Sequence, residues 1–169
     1  NNPKGIDIGA RHITISTCGI VPKIEQFMKE GKQVNLAISL HAPNDELRNK
    51  LMIINKAYPL KDLINIIKKY IKETKRRVTF EYIMLKGIND TPDLAQELAN
   101  LLKGINCYVN LIPYNETSHI KYQKSSKEAI MKFYDILKKN NINVTVRKEF
   151  GSEVMAACGQ LRSNYEEGQ

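Results

Sequence analysis

Cysteine is scarce in this 169-residue chain, and each cysteine stands alone. Cys18, Cys107 and Cys158 are odd in number, widely spaced and never part of a CxxC pair. That excludes a disulfide framework and a self-contained zinc site, and points to a reducing, cytoplasmic setting. Long apolar runs are missing too. No stretch approaches the roughly 18–20 residues of a membrane span, so no membrane partner is expected. Acidic residues are outnumbered, with 18 Asp and Glu facing 26 Lys and Arg for a net charge of +8. The balance excludes an acidic tail and favours a phosphate-bearing partner, a solvated basic surface being the plainer alternative. Internal repeats and low-complexity linkers are absent. The chain opens Asn1-Asn2-Pro3 with neither an initiator Met nor a signal-peptide pattern, so it is expected to be a piece of something longer.

What is present is enough for one modest core: 42% of the residues are hydrophobic. Short β-branched runs alternate with longer amphipathic stretches, the pattern of βαβ units on a parallel sheet. Strands are predicted over His12–Thr17, Asn35–Leu40, Val78–Leu85, Cys107–Pro113 and Asn143–Lys148. Their near-continuous apolar character predicts cover on both faces. Leu60, Leu63, Ile64, Ile67 and Ile71 form one stripe of a helix. Thr91-Pro92 caps a second helix over Asp93–Leu102, which Gly104 stops. Ser125 with Glu128 is expected to be a capping box for a third, running to about Lys139. Shorter helices are expected over Pro22–Lys29 and Asp45–Met52. The fold class is therefore α/β, a single unit over 1–169 with about five mainly parallel strands and flanking helices.

In such a sheet, ligands belong at the carboxyl ends of the strands. Strand one ends in Ser16-Thr17-Cys18-Gly19 and strand two in Ser39-Leu40-His41-Ala42-Pro43-Asn44. Strand four ends in Asn110-Leu111-Ile112-Pro113-Tyr114-Asn115. Small hydroxyls, an imidazole and carboxamides thus converge on one rim, where each can donate or accept without a fixed charge. Taken singly, Ser16, Asn44 and Asn115 could equally cap helices or turns, and His41 could be a structural histidine. After the last strand, Cys158 sits between small residues in Ala156-Ala157-Cys158-Gly159. An approachable thiol and a buried structural one are both open there. Charge is concentrated in two blocks. Residues 60–77 and 124–148 each hold seven basic residues against two acidic. No RNA-binding module signature accompanies them.

The ordered motifs Ile13-Thr14-Ile15-Ser16-Thr17-Cys18-Gly19, Leu36-Ala37-Ile38-Ser39-Leu40-His41-Ala42-Pro43-Asn44-Asp45, Asn110-Leu111-Ile112-Pro113-Tyr114-Asn115 and Ala156-Ala157-Cys158-Gly159-Gln160-Leu161 form a recognisable set. With them the chain closely resembles the C-terminal half of the dual-specificity radical S-adenosylmethionine RNA methyltransferases. The resemblance spans essentially the whole chain. It implies the C-terminal portion of a radical-SAM partial (β/α)6 barrel, a 4Fe–4S cluster in the parent enzyme, and methylation of adenosine carbon 2 in 23S rRNA and tRNA by a monomer. It further implies that Ser16, Ser39, Leu40, His41 and Asn115 contact S-adenosylmethionine, Leu40 through its backbone. Cys158, in a C-terminal segment over 149–169, matches the cysteine that becomes S-methylcysteine. Carbon 2 of adenine and the sulfonium methyl are both electrophilic, so a thiolate is needed to carry the methyl between them.

The departures also bear on function. No CxxxCxxC spacing occurs, so no metal ligand is assigned to this chain. The second cysteine and the general base of the family are missing as well, and the isolated chain is expected to be inactive. Cys18 falls at a variable position of its motif, and Cys107 is expected to be core. Two alternatives remain. One is the related enzyme that methylates carbon 8 and confers antibiotic resistance, which typically carries Ala at the Glu81 position and Arg at the Pro113 position. The other is a non-catalytic basic RNA-binding module.

Overall fold

A computed structural model describes residues 9–116 and 121–148. Five strands form one parallel sheet: β1 (Thr14–Thr17), β2 (Asn35–Ser39), β3 (Val78–Met84), β4 (Cys107–Pro113) and β5 (Asn143–Val146). Their spatial order is their chain order, and every neighbouring pair is parallel. Helices α1 (Val21–Lys29), α2 (Asp45–Leu51), α3 (Leu60–Thr74), α4 (Pro92–Leu102) and α5 (Lys127–Lys139) occupy the crossovers. Crossovers of one hand and an order that never reverses return every helix to the same side. This is the wall of a β/α barrel rather than a doubly wound sheet.

The core lies between that helical layer and one face of the sheet. Leu36, Ile38, Val78, Phe80, Tyr82, Met84, Val109 and Leu111 are buried against Ile24, Leu63, Ile67, Leu98, Phe133 and Leu137. Among the described residues nothing packs over the other face, which departs from the expectation of cover on both faces. β3 alternates buried and half-buried residues along its length. At the β1 edge Ile13 and Ile15 lie on the helix-facing side with Leu36 and are nevertheless exposed. Nearly continuous apolar strands arose because the half-buried face is also partly apolar, with Ile83 and Ile112 on it.

Local signals set most element ends. Thr91 Oγ1 accepts from the Leu94 N–H at 3.4 Å, and Pro92 follows at the first helical position. α3 runs on past the apolar stripe to Thr74 and closes on Lys75 in the left-handed region. β1 is shorter than predicted, because residues 10–12 form a 3-10 turn. The α5 cap falls one residue later than predicted. Ser126, not Ser125, accepts from the Ala129 N–H at 3.2 Å, since Lys124 is still bridged to Leu85 and the chain turns afterwards. Ser125 is buried instead. No helix among the described residues is long and apolar enough to cross a membrane.

Candidate functional site

The uncovered face carries a polar row. Ser39, Glu81, Asn110 and Thr145 are register partners across β2, β3, β4 and β5. Asn110 Nδ2 donates to Glu81 Oε2 at 2.9 Å, and Thr145 Oγ1 donates to Asn110 Oδ1 at 3.3 Å. Ser16 lies on the same face of β1, beside Ala37. Sequence reasoning found the serines but not this row as a unit. The signal was available: two residues apart on a strand share a face, and parallel pairing carries that face across the sheet.

At the carboxyl rim the chain leaves β2 through Leu40 and His41. His41 adopts φ 61, a left-handed conformation uncommon for a residue with a side chain. Its Nδ1 accepts the Ile83 N–H at 3.2 Å. Burial, with the Arg48 cation adding to it, pushes the ring down to about 4, although a backbone contact with Glu81 opposes this. The imidazole is therefore neutral at physiological pH. With Nδ1 accepting, its proton sits on Nε2. The Leu40 side chain belongs to the core, its N–H donates to the Glu81 carbonyl and its own carbonyl accepts from Arg48. The unused donor is next door, because the His41 N–H donates to no group among the described residues.

Two buried polar residues hold this rim, and sequence reasoning missed both. Asn89 Nδ2 donates to the carbonyls of His41 at 2.9 Å and Ile83 at 2.7 Å, while its Oδ1 accepts the Leu85 N–H at 2.7 Å. Arg48, at 0% exposure, donates to the carbonyls of Cys18, Ser39 and Leu40 and to Asn55 Oδ1. Among the other sequence-predicted residues, Ser16 and Asn115 are exposed and Ser39 is half-buried. Asn44 acts as a cap, accepting from the Leu47 N–H at 2.9 Å, and its amide donates to Glu97. Cys107 is core as expected, its thiol pushed up to about 12 by burial. Cys158 lies outside the described residues.

The Radical SAM superfamily pattern matches residues 4–102, a span running from before β1 to the end of α4. The chain belongs to the radical SAM superfamily. It is 60% identical over 166 residues to an Enterococcus faecalis protein named "Probable dual-specificity RNA methyltransferase RlmN", covering 96% of this chain and 46% of that protein. A Thermoanaerobacter sp. protein of the same name is 56% identical over 165 residues, with 98% and 48% covered. A radical SAM methyltransferase crystal structure from Sphaerobacter thermophilus superposes with a TM-score of 0.90 at 48% identity, covering 94% of this chain and 47% of that one. A domain of pyruvate-formate lyase-activating enzyme from Bacteroides vulgatus, at 16% identity and a TM-score of 0.61, shares the fold. The chain thus spans about half the length of the curated relatives it matches.

Radical SAM membership implies S-adenosylmethionine and a 4Fe–4S cluster. The rim fits the first, since uncharged donors and acceptors from three strand ends suit ribose hydroxyls, a purine edge and an amino-acid head. The thiols here do not fit the second. Cys107 sits in the core and Cys18 at the end of β1, and no three potential metal ligands converge among the described residues. Cluster ligation in this family needs several cysteine thiolates brought together.

Proposed function

We propose that this chain is the cofactor-binding and methyl-relay half of an RNA methyltransferase acting on carbon 2 of adenosine in 23S rRNA and tRNA, as a cytoplasmic monomer. One geometric observation carries the cofactor side. Ser16, Ser39-Leu40-His41 and Asn115, three segments far apart in sequence, share the carboxyl-end half of one sheet and its open face or rim. When bound there, S-adenosylmethionine supplies the activated methyl group and the radical chemistry for which the superfamily is named. Ser16, Ser39 and Asn115 offer hydrogen-bonding side chains. His41 offers a backbone N–H, and its ring is neutral, so it binds without repelling a sulfonium. The substrate side rests on relatives 56 to 60% identical over nearly the whole chain, whose names specify dual-specificity RNA methylation.

Cys158 is assigned the thiolate that takes up the methyl, forming a carbon–sulfur bond as the sulfonium loses its methyl. The test uses the full-length protein carrying this chain, prepared anaerobically with its cluster, methyl-labelled S-adenosylmethionine and both RNAs. Label on carbon 2 of adenosine is expected. Label on carbon 8, or on neither RNA, contradicts the proposal.

A further inference from the structure

Arg48 is fully buried and accounts for more of the rim's backbone than any residue that faces the open side. Its Nε donates to the Leu40 carbonyl at 3.1 Å. One terminal nitrogen donates to the carbonyls of Cys18 at 2.9 Å and Ser39 at 3.2 Å, and the other to Asn55 Oδ1 at 2.8 Å. Asn55 in turn donates to Asp45 Oδ1, which also accepts the Leu60 N–H. A single guanidinium thus joins the ends of β1 and β2 to the start of α3. No carboxylate forms a direct hydrogen bond or ion pair with it among the described residues, so carbonyl and amide dipoles carry the burden of its desolvation.

We infer that Arg48 is a positioning residue for the cofactor: by drawing the Leu40 carbonyl inward, it turns the His41 N–H outward to the ligand. The inference rests on the cofactor reading proposed above. In a trans peptide the carbonyl and the following N–H point in opposite directions. Fixing the Leu40 oxygen against Arg48 therefore fixes the direction of the next N–H, which is the one left without an acceptor among the described residues. The neighbouring peptide behaves differently. The Ser39 carbonyl is held the same way, but the N–H that follows it is consumed by the Glu81 carbonyl at 3.0 Å. Arg48 is suited to this work because its planar fork offers five donors in fixed directions, whereas a lysine ammonium at the same depth cannot reach three carbonyls and an amide together. The Cys18 end of the clamp is equally tight. Gly19, at φ +102, sits in a conformation that strains any side chain, and a Cβ there would press to 3.3 Å from the guanidinium and 3.2 Å from Leu63.

The full-length protein provides the test in two forms. For Arg48→Lys and Asn55→Ala, melting temperature and far-UV spectrum first establish folding. The expected result is a KM for S-adenosylmethionine raised about tenfold, with kcat and the KM for RNA within about twofold of the parent. A fold-wide defect moves all three together, and equal changes in all three, or none in a folded variant, overturn the inference. The second form needs no variant. In an amide-resolved NMR titration with S-adenosylhomocysteine, the His41 amide proton is expected to move downfield on binding, as an N–H gaining an acceptor does. An unmoved His41 amide in a protein that binds the ligand overturns the inference. If the unmutated protein binds no S-adenosylhomocysteine at all, the cofactor reading itself has failed, and the clamp with it.

Discussion

At the end of β2 the backbone passes through His41 in a left-handed conformation held by Asn89 on its carbonyl and Ile83 on its ring. Burial and Arg48 depress that ring to about 4 from an ordinary value of 6.5. Between those limits the unfolded chain binds a proton that the folded chain refuses, so stability falls as pH drops through the window. His41→Asn tolerates the left-handed backbone and cannot titrate. It should reduce the loss of stability between pH 7 and pH 4.5 by on the order of 1–3 kcal/mol, read from urea midpoints at the two values. An unchanged pH dependence would show that the ring is not held neutral. His41 was legible in the sequence because it follows a strand, where ligands gather. Arg48 and Asn89 were not. Arg48 lies in Asp45-Glu46-Leu47-Arg48-Asn49-Lys50, where it looks no different from solvated Lys50, and only the three-dimensional path of β1 and β2 buries it.

The elements themselves were largely readable, because period and caps are local properties of the chain. Every strand and α-helix falls where apolar pattern, caps and breakers predicted it, with ends shifted by a few residues. What the chain could not disclose locally was cover. An apolar strand buried on one face and lining an open wall on the other has the same composition as a strand buried on both. The α5 start shows a similar limit, since Ser125 and Ser126 are equivalent in sequence and only the Leu85–Lys124 bridge decides between them. Their roles separate under mutation. Ser126→Ala removes a helix cap and should cost about 1 kcal/mol of unfolding free energy. Ser125→Ala removes a buried hydroxyl that finds no hydrogen-bond partner among the described residues, and should cost little or stabilise slightly. Paired denaturant titrations giving the reverse order would contradict the assigned cap.

Over the whole molecule, charge and chemistry are distributed along the sheet axis. α3 begins beside the rim, where the Leu60 N–H meets Asp45, and ends about 22 Å away at the amino ends of the strands. Lys72 and Lys75 therefore stand far from the candidate site, and Arg76 is engaged with Asn35 at the first residue of β2. The second basic block is divided. Lys124 and Lys127 precede or open α5 on the rim side, Arg147 and Lys148 follow β5 on that same side, and Lys138 and Lys139 close α5 at the far end. The first four stand on the rim side, which gives the net +8 a direction that composition alone lacks. On the proposed function, the rim delivers a methyl group to Cys158 on its way to RNA. This is tested most directly by mass spectrometry of the full-length protein isolated from cells active in RNA methylation. The expected result is a Cys158 peptide about 14 Da heavier than unmodified, one methyl replacing one hydrogen, and loss of adenosine methylation in Cys158→Ala. Added mass on Cys18 or Cys107 instead, or adenosine methylation that survives in Cys158→Ala, would contradict it.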